Sequence, residues 1–97
     1  MAIYAIIAQP GPNQERLAPE IERAFAGALY NAGNGVWLVA SPGPAQEISN
    51  HLGISDGANG SAIVLEVASY YGRANPAVWT WIQANWGRSP LETLDLR

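Results

Sequence analysis

His51 is the only histidine in the chain and follows Glu47 by four residues. On a helix that spacing sets an imidazole beside a carboxylate. Such a pair can act as a base with its orienting acid, or as two ligands of a metal ion. With no other His and no Cys in the chain, neither role has the further groups it needs. A surface helix pair is the reading the spacing favours. Glu66 is a carboxylate inside the apolar run Ser61 to Ser69. It has the chemistry of a metal ligand, or of the acid in a site shared between subunits. Against that stand the plainer roles of a solvent-facing side chain or an interface partner for Arg. Asp56-Gly57-Ala58-Asn59-Gly60 lacks the alternating carboxylates and closing Glu of a calcium loop and reads as a turn. No glycine pattern makes a phosphate-binding fingerprint. Trp79, Trp81 and Trp86, with Tyr70 and Tyr71, have the makings of a stacking platform for bases. On a helix, however, Trp79 and Trp86 share the apolar face and read as core, with Trp81 the more exposed of the three.

The elements that must position these residues follow from periodicity and turn chemistry. The stretch Gly35 to Gly53 organises the rest: a buried strand Val36 to Ala40, a Pro/Gly turn, and an amphipathic helix Ala45 to Leu52 capped by Gly53. Before it, Ala2 to Ala8 is continuously apolar, as suits a strand buried on both faces, and Pro10-Gly11-Pro12 ends it. Leu17, Ile21 and Phe25 recur every fourth residue within Gln14 to Ala26, which predicts an amphipathic helix. Pro19 requires the regular helix to begin close to it. Ala28 to Tyr30 is a short strand, joined to Val36–Ala40 through Asn34-Gly35, a hairpin-turn pair. After the loop 55–60 comes the strand Ser61 to Ser69. Asn75 and Pro76 then supply the N-cap and first position of a last helix, Pro76 to Trp86. No repeat or low-complexity segment is read along the chain.

Composition sets the outer bounds. A chain of 97 residues holds one domain, taken as residues 1–90, with a C-terminal tail over 91–97. Leu91, Leu94 and Leu96 in that tail suit a short strand or a clamp on a partner. The chain is 48% hydrophobic and 13% charged, too apolar for disorder. Its cations are five Arg and no Lys, scattered along the chain, and the formal net charge is −3. Nucleic-acid binding draws on clustered cations, so nucleic acid is disfavoured as a partner. No apolar run reaches the roughly 20 residues of a membrane span, and the N-terminus lacks a signal peptide's basic region. A soluble, cytoplasmic protein without membrane attachment is expected.

The order β, α, β, β, α, β and a further helix predicts an α+β fold. Specifically, it predicts a ferredoxin-like βαββαβ antiparallel sheet with an additional C-terminal helix. Right-handed crossovers put both main helices on one face of the sheet. In both long strands each face is apolar. Tyr4, Ile6, Trp37 and Val39 are placed on the helix-free face. Left bare, that face would be an exposed apolar patch of a kind monomers seldom carry. A second subunit, or else the last helix, must cover it; a homodimer through these four residues is expected.

The segments MAIYAIIAQPGPN, GVWLVASPGPAQEISNHL and SAIVLEVASYYGRANPAVWTWIQANW resemble, in that order, the SinR-like and VapD-like branch of the CRISPR-associated Cas two family. The resemblance covers roughly residues 1–86. It implies a ferredoxin-like homodimer with sheets packed against each other. It also implies that nuclease members hold a divalent metal, Mg²⁺ or Mn²⁺, with an aspartate at the end of the first strand. The matching place here is Ala8-Gln9. Gln9 is neutral and offers no anionic oxygen to a hard cation, which leaves Gln9 and Glu66 as weak catalytic candidates. The expectation is a non-catalytic dimeric interaction or assembly module with no cofactor, and with a protein partner as a further possibility. The alternative is a metal-dependent ribonuclease or deoxyribonuclease. A sensor binding a small molecule at a subunit cleft is a third.

Overall fold

Eight residues of unbroken apolar character form β1 (Ala2–Gln9), the strand against which the others assemble. The computed structural model describes residues 1–86, so the expected domain end at residue 90 and the tail 91–97 lie outside the described residues. After β1 come a 3-10 turn (Gln14–Arg16), α1 (Leu17–Ala24), β2 (Leu29–Gly33) and β3 (Val36–Ser41). Then follow α2 (Ala45–Leu52), β4 (Ser61–Glu66) and α3 (Pro76–Asn85). The strands make one four-stranded sheet in the order β2-β3-β1-β4, every neighbouring pair antiparallel. The chain is thus a mixed α+β protein with one antiparallel sheet and three α-helices among the described residues. None of these helices is long and apolar enough to cross a membrane.

Most local signals act as their chemistry dictates. Asn34 and Gly35 take φ of 55° and 77°, the two positive values of a two-residue hairpin turn. Gly53 ends α2 at φ 78°. Asn75 Oδ1 accepts a hydrogen bond from Ala77 N at 2.9 Å, with Pro76 behind it. The expected helix Gln14–Ala26 is instead divided and shortened. Asn13 takes the left-handed conformation (φ 65°), and its side chain donates to Gly57 O. Gln14 Oε1 accepts from Ser61 N at 3.1 Å. These ties hold the first turn in 3-10 form, and α1 starts at Leu17 with Pro19 inside its first turn, where no N–H partner is needed. The last strand stops at Glu66 rather than Ser69, although Val67 N still donates to Ile3 O at 2.9 Å.

The chain does carry a short internal echo: Gln9-Pro10-Gly11-Pro12-Asn13-Gln14-Glu15 and Ser41-Pro42-Gly43-Pro44-Ala45-Gln46-Glu47. Each links a central strand to the helix after it. The two copies differ at the residue that opens the helix. Asn13 tolerates a positive φ and delays the helix, whereas Ala45 enters α2 at once. The second copy also contains a cis Gly43–Pro44 bond.

The core corrects one expectation outright. Tyr4, Ile6, Trp37 and Val39 form a single buried cluster with Leu17 and Ile21 of α1 and Ile48 and Leu52 of α2. They lie on the helix-covered face, not on the helix-free face assigned to a dimer interface. The alternation was read correctly, but both faces are apolar, so alternation alone carries no choice between them. The handedness of the crossovers makes that choice once the strand order is set. The opposite face carries Ile3, Ala5 and Ile7 of β1, paired with Ala40, Leu38 and Val36 of β3. The third helix crosses this face. α3 lies against β1 and β2, with Trp81 against the Tyr30 ring at 6.3 Å. Ile82, Ile3 and Ala40 are buried.

Candidate functional site

The residues singled out by chemistry are not gathered in one place. Gln9 closes β1 opposite Ser61, and Glu66 closes β4 opposite Tyr4. Five steps of the same ladder separate them, about 17 Å at strand spacing. Gln9 turns its amide back on its own strand, Nε2 donating to Ala8 O at 3.1 Å. Glu66 is exposed and acts on the Tyr4 phenol. Burial first, then the Glu66 charge, raises the phenol above its ordinary value. The divalent cation implied by the family resemblance does not fit this arrangement, since one neutral amide and one remote carboxylate cannot converge on an ion. Among the described residues no group of three His, Cys, Asp or Glu is placed to hold a metal.

Glu47 and His51 are both exposed on α2. With Phe25, Ser41, Pro42 and Gly43 they line an open cleft of about 270 Å³. The imidazole acts across to α1. The Glu20 carboxyl is held below the usual carboxylate range chiefly by a hydrogen bond from Arg23, with the Arg23 and His51 charges assisting against desolvation. Arg23–Glu20 is the salt bridge recorded on that surface. In the loop 56–60, Asp56 Oδ1 accepts from Ala58 N at 3.0 Å and Asn59 Nδ2 donates to Leu52 O at 2.8 Å. Both side chains are thereby engaged in holding the turn.

Two surfaces stand out instead. The first is the part of the second face that α3 leaves uncovered. Ile7 lies between Val36 and Ile63 in register, and Ala5 between Leu38 and Leu65. Directly paired residues project to the same side, so apolar rows cross three strands. At the β4 edge the rows end in Ile63 and Leu65, 45% and 49% exposed. The alternation of Ile63, Leu65 and Val67 was legible in the sequence. Their partners across the sheet were not, because register is a property of the pairing.

The second surface is aromatic. Tyr70 stacks on Trp79 at 5.9 Å and receives Trp86 edge-on at 4.9 Å. Tyr70, Tyr71, Gly72, Trp79 and Gln83 line an open cleft of about 290 Å³. Trp79 and Trp86 do share the ring cluster, but they are half-buried and the buried residue of α3 is Ile82. Trp81, expected to be the more exposed of the three, falls in the same half-buried class and lies against Tyr30. The free ring is Tyr71, fully exposed. Gln83 was not marked by any motif.

No protein-family model matches the chain, and no curated protein or solved structure matches it either.

Proposed function

We propose that the protein is a non-catalytic interaction module that works as a homodimer, with a ferredoxin-like arrangement of the Cas two and SinR-like kind. The fold reading draws support from two crossovers, β1-α1-β2 and β3-α2-β4, each spanning one intervening antiparallel strand. The family reading rests on the resemblance of its segments. The observation that carries the dimer is the apolar row Val36–Ile7–Ile63, with Leu65 beside it, left open at the edge of the sheet. A second copy laid on this half-face would bury that row, and the twofold symmetry common to small oligomers needs only one such self-complementary patch. The non-catalytic reading rests on the neutral Gln9 and on its separation from Glu66.

Sedimentation equilibrium tests the assembly, with wild type expected to be dimeric at micromolar concentration and the Ile63→Glu/Leu65→Glu variant monomeric and folded. Incubation of wild type with labelled RNA and DNA in Mn²⁺ tests the second half and should leave both intact. A wild-type protein that is monomeric over that range removes the dimer. Cleavage abolished by Glu66→Gln would restore the nuclease alternative.

A further inference from the structure

The cleft between the segment after β4 and α3 combines features that the dimer reading does not use. Tyr70 is fixed from two sides, by Trp79 and by Trp86. Tyr71, the next residue, is wholly exposed. Asn75 and Pro76 set the start of α3, which carries Trp79 and Gln83 one turn apart on the wall of the cleft. The Gln83 amide makes no side-chain hydrogen bond among the described residues. Packed rings, one free ring and one free amide donor thus share a cleft whose lining, among the described residues, carries no charge. From residue 67 to 86 the sequence holds a single charged residue, Arg73.

That charge pattern selects among ligands. A quaternary ammonium or methylated lysine suits aromatic faces, but among the described residues the lining supplies no carboxylate, and Arg73 lies next to Gly72 in the chain. A single-stranded nucleic acid would stack on the rings, yet it also needs a cationic track for its phosphates, and one Arg does not make a track. A neutral ligand with flat apolar faces and bare carbonyl acceptors meets no such objection. The polyproline II helix has that chemistry: pyrrolidine rings that pack on aromatic faces, carbonyls without internal partners, and little ordering cost on binding. At about 290 Å³ the cleft falls just under the range of sites for drug-sized ligands and suits a short stretch of such a chain.

We propose that the Tyr70–Tyr71–Trp79–Gln83 cleft is a docking site for a neutral, proline-rich peptide segment in the polyproline II conformation. Prolyl rings pack between Tyr71 and the Tyr70–Trp79 stack, and Gln83 Nε2 donates to a peptide carbonyl. The proposal deepens the interaction-module reading by naming a class of partner, and it does not depend on the dimer. The test is a titration with decaproline blocked at both ends, followed through the indole Nε1–H resonances of the four tryptophans. The Trp79 resonance should move and saturate, equally in wild type and in the monomeric Ile63→Glu/Leu65→Glu variant. Tyr71→Ala should weaken binding about tenfold with an unchanged melting temperature, because the exposed ring supports nothing in the fold. Gln83→Ala should weaken it about fivefold, the value of one hydrogen bond. Binding that is undiminished in Tyr71→Ala overturns the proposal. So does a cleft that responds to a thymidine oligonucleotide or to choline but not to decaproline.

Discussion

On one face of the sheet, α1 and α2 bring Leu17, Ile21, Ile48 and Leu52 onto Tyr4, Ile6, Trp37 and Val39, and all eight are buried. On the other face α3 crosses alone, against β1 and β2 with Trp81 on the Tyr30 ring, and Ile63 and Leu65 stay about half exposed. The residues themselves do not account for the difference, because isoleucine, leucine and valine supply both faces. Coverage does. One ten-residue helix, about 15 Å long, covers part of a four-stranded sheet, while α1 and α2 together bury the centre of the other face, on β1 and β3. Hydrophobicity specifies that a face must be buried, and the number of elements crossing it decides whether the same chain does the burying.

The sharpest way to break this comparison is to remove the same kind of contact from each side. Trp37→Ala should cost about 3–5 kcal/mol of stability, the range for deleting a buried aromatic ring, measured by urea denaturation. Trp37→Phe should cost far less than its lost area suggests. The Trp37 Nε1 donor is buried with no partner among the described residues, and removing an unsatisfied donor offsets part of the lost packing. Leu65→Ala on the open side should cost about 1 kcal/mol or less in dilute monomer. Equal losses from Trp37→Ala and Leu65→Ala would abolish the distinction between the faces.

A smaller effect comes from the rim of the closed face, where the two Pro-Gly-Pro segments differ. A Cβ at Gly43 would fall 2.6 Å from Tyr4 Cζ and closer still to its hydroxyl, at a φ of 73°. Tyr4 is only 3% exposed and has little room to withdraw. Gly43→Ala should therefore cost about 3 kcal/mol, from overpacking and backbone strain together. At Gly11 the nearest atom to a new Cβ is Ser61 Oγ at 3.5 Å, an ordinary contact, which leaves only the strain of its φ of 156°, so Gly11→Ala should cost about 1 kcal/mol. Matching losses would mean that Tyr4 yields at its rim, and that the closed face is looser than its burial indicates.

Much of this molecule was legible in its residues. The α2 boundaries, the Asn34-Gly35 turn, the Asn75 cap and the order of the elements all follow from short-range chemistry, and the structure has them. What escaped was long-range. The division of the helix over residues 14–26 depends on Asn13 and Gln14 reaching Gly57 and Ser61, more than forty residues away. The placement of Trp37 depends on crossover handedness, and the exposure of Ile63 and Leu65 on register. The aromatic cleft was half legible. Tyr70, Tyr71 and Trp79 stood out as rings, but Gln83 joins them only because α3 puts it one turn beyond Trp79.

The smallest expected effect is also the most specific to the closed face. Tyr4 points its hydroxyl to the Gly43 rim, and burial, followed by the Glu66 charge, raises its pKa above the ordinary value near 10. Below about pH 10 the phenol is protonated in both folded and unfolded chains, and the contribution of the neutral group is fully present. As pH climbs past that point the unfolded chain releases the proton while the folded chain keeps it. The unfolded state then binds fewer protons, so stability falls with pH until the folded phenol itself ionises. Urea denaturation across the alkaline range should show this decline in wild type. Tyr4→Phe should flatten it, because no proton remains to be withheld. Glu66→Gln should give an intermediate slope, since it removes the second cause and leaves burial in place. Identical alkaline slopes in wild type and Tyr4→Phe would show that solvent reaches the Tyr4 hydroxyl freely, and that the closed face is open at its Gly43 rim.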